Sequence, residues 1–243
     1  STMPTGIIIN SLAIFLGGVV GTLGGAKIPT AVKDHLNLVF GVCSMAMGIY
    51  AIAPMKNMAP VIFAVILGTA CGLFLHFGQF INRGATQVQK LLAHFVKVPH
   101  TMNQETFAET LVTVLVLFCA SGTGIYGSLT EGMSGDATIL IAKSILDFFT
   151  AAIFAANLGL VVSLVALPQF LIFFILYLGA QSIYPLTTPA MILDFKAAGG
   201  ILMLATGFRM ADIKIFPTAD MIPAMILVMP LSWFWVEFVL RLL

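Results

Sequence analysis

Two opposite charges stand one helical turn apart in a strongly apolar part of the chain. Lys143 and Asp147 are the charged residues of the segment Leu140–Ala151. Residues four positions apart share one face of a helix, so the two side chains can pair. A charge inside a membrane helix costs about 2.5–3.5 kcal/mol on insertion scales and usually marks an ion, proton or substrate site. We therefore predict that Asp147 binds a cation or carries a proton near the membrane midplane, with Lys143 holding it ionised. The alternative is a salt bridge that only fixes helix packing.

A glycine-rich stretch interrupts the apolar run before this segment. Ser121-Gly122-Thr123-Gly124 follows a hydrophobic helix that reaches Cys119, and a glycine inside a helix costs about 1 kcal/mol relative to alanine. Irregular backbone at membrane depth is tolerated only where protein or a watery cavity covers it. The pattern predicts a broken helix whose Ser121 and Thr123 side chains line a binding site. The alternative is a straight helix with a glycine contact face.

Asp194, Asn10 and Glu131 are further candidates for the same site. Asp194 and Lys196 are two positions apart and point to different helix faces, so each needs its own partner. We predict that Asp194 pairs with Lys143 across helices. Asn10, in the first apolar run, is predicted to reach the polar centre. Glu131 is interpreted either as a cation-attracting residue at the external mouth or as a solvated loop residue.

The composition places the chain in a membrane. It is 60% hydrophobic and 9% charged, with a mean hydropathy of +1.07, whereas about 25% of the residues of a soluble domain are charged. The fold class predicted is an all-α polytopic membrane bundle in contact with the lipid bilayer. A net charge of +1 without a basic tract argues against nucleic-acid binding.

No motif for enzymatic chemistry is present in the sequence. The cysteines show no CxxC spacing, and no two histidines are four residues apart, as a zinc site on a helix would require. The sequence also contains no P-loop and no serine-elbow motif. A serine–lysine intramembrane hydrolase using Ser121 or Ser144 is disfavoured, since nothing marks an oxyanion hole. The sequence therefore predicts neither an enzyme nor a metal site, and it suggests no cofactor.

Eight stretches are apolar and long enough to span a bilayer, which needs about 20 residues each. Together they make residues 3–243 a single transmembrane domain. The long apolar stretch 137–182 is divided at Asn157–Gly159, because asparagine and glycine commonly follow a helix end. A break at Pro168 and a re-entrant segment are the alternatives. The predicted spans are 6–25, 36–55, 59–80, 108–128, 137–157, 160–182, 189–210 and 221–240.

Lysine and arginine placement predicts the orientation. With the N-terminus outside, six of these residues fall in inner loops and two fall in outer segments, in line with the positive-inside rule. The connection 81–107 carries apolar residues at helical spacing opposite Arg83, Lys90 and Lys97. This pattern is typical of an amphipathic helix on the cytoplasmic surface.

Recurring glycines suggest an internal repeat. Gly41–Gly48 resembles Gly200–Gly207, and two prolines and an apolar span follow each segment. In the predicted topology these spans run in opposite directions, as in the inverted repeats of transporters. The alternative is only a shared glycine packing face. Glycines at 17, 21 and 25 support close helix crossing, either within one bundle or as a dimer face. A homo-oligomer is predicted, with a dimer favoured.

Several of these segments together resemble a known bacterial family, the YqgA-like membrane proteins called domain of unknown function 554. The resemblance covers nearly the whole chain. It implies a helical bundle in the bacterial inner membrane, for which transport is a common guess, and it supplies no catalytic or ligand residue. The matching segments are Asn10 with its following glycines, FCASGTGIYGSLTEGMSGD from Phe118 to Asp136, LIAKSILDFFTA from Leu140 to Ala151, and GGILMLATGFR from Gly199 to Arg209.

Two functions follow from these patterns as rival hypotheses. The first is a transporter or channel for a small solute or ion. In it Asp147 is the ion or proton group and Lys143 and Asp194 are its partners, while Ser121, Thr123 and Asn10 form the polar lining. The second is a membrane scaffold or sensor whose buried charges are only structural. The sequence does not identify the substrate.

Overall fold

A computed structural model describes residues 3–243. Within this range the chain forms eleven α-helices and no strand. Short 3-10 or π-helical turns occupy Gly25–Lys27, Tyr184–Leu186 and Trp235–Val239. The helices are α1 (Thr5–Gly24), α2 (Thr30–Ile52), α3 (Met58–Phe74), α4 (Phe77–Ala93), α5 (Gln104–Cys119), α6 (Gly122–Ser134), α7 (Thr138–Leu158), α8 (Val161–Leu164), α9 (Ala166–Ile183), α10 (Pro189–Met210) and α11 (Pro223–Phe234).

Length and hydropathy make this a helical membrane protein. In the described part of the chain, six helical segments are long and apolar enough to cross a bilayer, and the bent pair α3–α4 brings the number to seven if it counts as one span. The predicted eighth span is shorter than expected, because the apolar helix Pro223–Val239 has fewer than 18 residues. The six segments are Thr5–Lys27, Thr30–Ile52, Gln104–Ser134, Thr138–Leu158, Val161–Leu186 and Pro189–Met210.

Polar side chains cap the starts of three helices. Asn103 Oδ1 accepts the backbone N–H of Thr106 before α5 at 2.7 Å, and Thr188 Oγ1 accepts that of Met191 before α10 at 3.3 Å. Ser121 Oγ accepts the N–H of Gly124 and starts α6. The first N–H groups of a helix have no partner within the helix, so each cap satisfies one of them. Ser121 thereby makes the predicted break in the fourth span a defined helix end and a new start.

Two further helix breaks occur at residues with positive φ. Gly159 has φ +80° and ends α7 at the predicted position, and the 26-residue segment Val161–Leu186 begins just after it. His76 has φ 53° and separates α3 from α4, which are bent by 60° to each other. The predicted third span, 59–80, is therefore interrupted at a non-glycine residue that the sequence pattern did not indicate.

Helix α4 is amphipathic, in line with the pattern of the connection 81–107. Its apolar residues Ala85, Val88 and Leu92 pack on a core cluster with α5 and α7, while Arg83 and Lys90 are exposed. The helix begins at Phe77, earlier than the predicted connection. Its place on the cytoplasmic surface stays a prediction.

Helices α1 and α7 pack in parallel through small residues. A Cβ atom at Gly17 or Gly21 would overlap the backbone of α7 at Phe148 or Ala152, and one at Gly25 would lie 2.8 Å from Ala156 Cβ. Small residues let two backbones approach in this way. The glycine stripe of α1 is thus used within the bundle, so it offers no free dimer face, and the homo-oligomer remains a prediction without this support.

Helices α2 and α10 pack antiparallel with reciprocal glycine contacts. A Cβ atom at Gly48 would lie 2.6 Å from the carbonyl oxygen of Gly200, and one at Gly200 would lie 2.7 Å from that of Gly48. Gly41 and Gly207 form the same reciprocal pair. An inverted repeat would place these two helices in this relation, but the repeat over the rest of the chain stays a prediction.

Candidate functional site

The predicted charge pair forms within α7. Asp147 is nine residues into this 21-residue helix, and its Oδ2 accepts from Lys143 Nζ. The side chains of Lys143 and Asp147 are only 5% and 10% exposed, and the Lys143 ammonium also lies 5.6 Å from the centre of the Phe173 ring. A buried ion pair needs further hydrogen bonds to offset the loss of hydration.

A chain of polar side chains supplies those hydrogen bonds from neighbouring helices. Asn10 of α1, predicted to reach the polar centre, donates to Asp147 Oδ2 at 2.8 Å. Gln169 of α9 donates to Asn10 Oδ1, and Ser11 donates to Gln169 Oε1 at 2.6 Å. The Ser11 donation turns the Gln169 amide nitrogen towards Asn10, and this turns the Asn10 nitrogen towards Asp147. The network therefore places two donors, the Lys143 ammonium and the Asn10 amide, on one oxygen of Asp147.

The carboxylate also faces a small cavity, which we call the pair pocket. Its volume is about 40 Å³. No described residue donates a hydrogen bond to Asp147 Oδ1, and the hydroxyls of Thr123 and Thr150 make none within residues 3–243. The pocket is lined by Ser44, Met47, Leu117, Ser121, Thr123, Lys143, Leu146, Asp147, Thr150, Thr206 and Met210.

A larger cavity, which we call the vestibule, adjoins the pair pocket. Its volume is about 670 Å³, and it lies at the α3–α4 turn, the α5–α6 break and the end of α10. Four residues line both cavities: Leu117, Ser121, Thr206 and Met210. The polar lining of the vestibule consists of His76, Gln79, Asn82, Thr113, Ser121, Thr206, Arg209, Thr218 and Asp220. The broken fourth span therefore lies where the two cavities meet.

The predicted pairing of Asp194 with Lys143 is wrong. Asp194 is fully buried, but it accepts the backbone N–H groups of Lys56 and Asn57 at 3.0 and 2.8 Å, the Asn57 side chain at 2.9 Å and the Ser232 hydroxyl at 2.6 Å. These donors saturate the carboxylate at the start of α3. Asp194 lines neither the pair pocket nor the vestibule, so the structure separates it from Asp147.

Both interpretations of Glu131 are also wrong. This residue is not in a loop or at an exposed mouth but is buried within α6, where Oε1 accepts the backbone N–H of Gly6 at 2.9 Å. Oε2 makes no hydrogen bond within the part of the chain that the structure describes. A carboxylate is favourable at a helix N-terminus because it satisfies free N–H groups and meets the positive end of the dipole. Glu131 thus anchors α1.

Sequence reasoning missed a third remote anchor and the Gln169 link. Asp220 Oδ1 accepts the N–H of Gly78 at 2.7 Å and anchors the start of α4, as Asp194 and Glu131 do for α3 and α1. Helix caps from another part of the chain leave no local sequence signature. The signal for Gln169 was an amide within the apolar run of helix α9; the second amide of that helix, Gln181, lies near its end and is exposed.

A separate ion pair lies near the start of α7. Lys196 Nζ donates to Asp136 Oδ2 at 3.0 Å, and Asp136 Oδ1 accepts the N–H of Thr138 at 3.0 Å. Partial burial favours the neutral carboxyl, but the hydrogen bonds from Thr138 and Lys196 and the Lys196 charge outweigh it and lower the pKa of Asp136. Neither residue lines the pair pocket or the vestibule, so we interpret this pair as structural.

Comparison with known proteins places residues 5–233 in a family described as "Protein of unknown function (DUF554)", and the chain belongs to that family. It is 43% identical to "Uncharacterized protein YqgA" of Escherichia coli (strain K12), over 96% of this chain and 98% of that one. It is 30% identical to "Uncharacterized membrane protein YdfK" of Bacillus subtilis (strain 168), over 91% and 93% of the two chains. No solved structure matches the chain.

Proposed function

We propose that this DUF554 protein is a transporter or channel that moves a small solute or ion past Lys143 and Asp147. The observation that carries the proposal is that the two cavities adjoin. The vestibule and the pair pocket share Leu117, Ser121 and Thr206 in their walls, and the pocket ends at the buried charge pair. Ionisable residues inside membrane bundles mark such pathways by default.

The dimensions of the cavities support a narrow, closed passage at the charge pair. A cavity needs roughly 10–15 Å³ of water-centre volume to hold one water molecule. The pair pocket, at about 40 Å³, has room for a few waters or one ion without its shell, whereas the vestibule, at about 670 Å³, accommodates a hydrated solute. Passage therefore requires movement, and the break at Ala120–Ser121 between α5 and α6 is the element best placed to move.

The predicted orientation assigns the vestibule to the cytoplasmic side of the bacterial inner membrane. With the N-terminus outside, α3 runs inwards, so its turn into α4 at His76 lies at the cytoplasmic end. The vestibule is lined by this turn, by Arg209 at the end of α10 and by Asp220. Alternating exposure of a site near the membrane midplane is the transporter arrangement that fits this geometry.

Purified protein in liposomes tests the proposal. Vesicle swelling reports the entry of neutral solutes, and a voltage-sensitive dye reports Na⁺ or K⁺ flux driven by a gradient. We expect flux in the wild type and none with Asp147→Asn. The double variant Lys143→Met/Asp147→Leu is the folding control: it removes both charges together, keeps the fold and is also inactive. If both variants conduct like the wild type, or if the wild type carries none of these probes, the charges are structural and a scaffold or sensor role takes the proposal's place.

A further inference from the structure

We infer that the pair pocket binds a dehydrated monovalent cation that competes with the Lys143 ammonium for Asp147, an inference that rests on the proposed function and names its substrate class. The pocket offers one carboxylate oxygen without a partner, Asp147 Oδ1, next to a void of about 40 Å³. That void has room for a bare ion but not for its complete hydration shell.

The other ligands in the pocket wall are hydroxyl oxygens. Ser44 and Thr206 donate their hydrogens to the carbonyl groups of Met203 and Leu202, at 3.0 and 2.9 Å, so their oxygen lone pairs stay free. Thr123 and Thr150 make no hydrogen bond within the described chain, and their hydroxyls can turn either way. Hard cations prefer oxygen ligands of this kind.

The charge count selects a monovalent cation. The pocket contains a single carboxylate, and nowhere in residues 3–243 do three His, Cys, Asp or Glu side chains come together in a possible metal site. Once the Lys143 ammonium has moved away, this carboxylate balances the charge of one monovalent ion, whereas a divalent ion would keep an uncompensated charge in the bundle. An anion is disfavoured because it would meet the carboxylate group of Asp147, and the Lys143 ammonium and the Asn10 amide already donate to that group.

Lys143 then acts as a tethered competitor. Its ammonium and the Asn10 amide occupy Oδ2 of Asp147, so an entering cation binds at Oδ1 and repels the ammonium across the same carboxylate. The ionisable groups around the pair are few. Cys119 of α5 is close to both charges, while Arg209, His76 and Asp220 line the vestibule. Cation entry is thus coupled to the position of Lys143.

The test measures cation binding by thermal stability in detergent, since a ligand that binds only the folded state raises the melting temperature with concentration. NaCl, KCl and LiCl are titrated against N-methyl-D-glucamine chloride at equal ionic strength. We expect at least one alkali cation to stabilise the wild type beyond the organic cation. Asp147→Asn should abolish this difference, and Lys143→Met should raise the apparent cation affinity by roughly tenfold or more.

A second variant keeps the inference testable if Lys143→Met fails to fold. Thr123→Val removes one oxygen and keeps the side-chain shape, so it should weaken cation affinity several-fold, whereas Thr69→Val, on α3 and outside the pocket, should not. Equal stabilisation by all the salts, or by one cation in wild type and Asp147→Asn alike, overturns the inference. Solute flux without cation binding leaves the proposed function intact and overturns only the inference that the pocket binds a cation. Cation binding without flux supports the cation site and contradicts the proposed transport function.

Discussion

Asp147 and Asp194 are both buried carboxylates in apolar helices, yet their surroundings differ. Asp194 receives four hydrogen bonds from Lys56, Asn57 and Ser232, and no described cavity reaches it. Asp147 receives an ammonium and an amide on one oxygen, while the other oxygen faces a void. Burial alone therefore does not indicate function. A carboxylate with a free oxygen at a cavity can bind something, and a saturated one holds helices together.

The largest effect on stability should come from Asp194→Asn. The amide oxygen can take the place of Oδ1 and keep the N–H groups of Lys56 and Asn57, but the amide nitrogen then faces the Asn57 side chain and the Ser232 hydroxyl, which donate to Oδ2 in the wild type. Leaving a buried donor unsatisfied costs about 1–3 kcal/mol per group, and we expect a loss of roughly 3 kcal/mol or more in the free energy of unfolding, measured by denaturation in mixed micelles. A loss below about 1 kcal/mol would remove the contrast with Asp147.

Gly48→Ala should have the next largest effect, because it separates α2 from α10, which contribute Ser44 and Thr206 to the pair pocket. The new methyl would lie 2.6 Å from the Gly200 carbonyl oxygen, and overpacking of this kind costs about 1–3 kcal/mol. Gly84→Ala in α4 is the matched control, since nothing lies within 4 Å of its Cβ position. That control should be neutral or stabilising by up to about 1 kcal/mol. Equal melting temperatures for the two variants would contradict the close helix contact.

The double variant Lys143→Met/Asp147→Leu should change stability less. Replacing a buried ion pair with apolar residues of similar volume is often neutral or stabilising by about 1–4 kcal/mol. We expect a melting temperature equal to or above that of the wild type. Asp194 and its partners cannot be replaced together by apolar residues in this way, because two of its donors are backbone N–H groups. Strong destabilisation of the double variant would mean that Asp147 is also a structural anchor.

Asp136→Asn should have the smallest effect. The lowered pKa of Asp136 means that its ionised form stabilises the fold above the ordinary value of 3.8, and that this contribution is lost as the pH falls through the lowered value. The wild type should therefore melt slightly above Asp136→Asn at pH 7, by about 1 kcal/mol or less in stability, and the difference should vanish in strong acid. A stability difference between the wild type and Asp136→Asn that grows as the pH falls would contradict the expected pH dependence.

The sequence predicted those features that depend on local spacing. Four-residue spacing placed Lys143 and Asp147 together, and the end of α7 at Gly159 and the start of α6 at Ser121 follow from turn and capping chemistry. The membrane bundle itself follows from composition. Apart from the bundle, each of these features depends on residues that are close together in sequence.

Long-range partners could not be derived in this way. A charged partner, Lys143, is the expectation for Asp194, but neutral backbone donors 137 and 138 residues away in sequence satisfy it instead. The glycines near Glu131 are unfavourable in an isolated helix, which is why its sequence context indicates a mouth or loop. In the bundle those glycines provide close packing, since a Cβ at Gly127 would lie 2.6 Å from Leu140. Tertiary contacts therefore outweighed helix propensity.

The central claim is that water reaches Asp147 through the vestibule, and cysteine accessibility tests it most directly. In a background without Cys43, Cys71 and Cys119, Thr123→Cys places a thiol in the pair pocket, and Thr130→Cys places one in the same helix, α6, at a buried position outside it. Ag⁺ ions added to sealed inside-out vesicles should protect Cys at 123 from later maleimide labelling and leave Cys at 130 unprotected. Equal protection of both thiols, or of neither, would contradict a hydrated path to the charge pair.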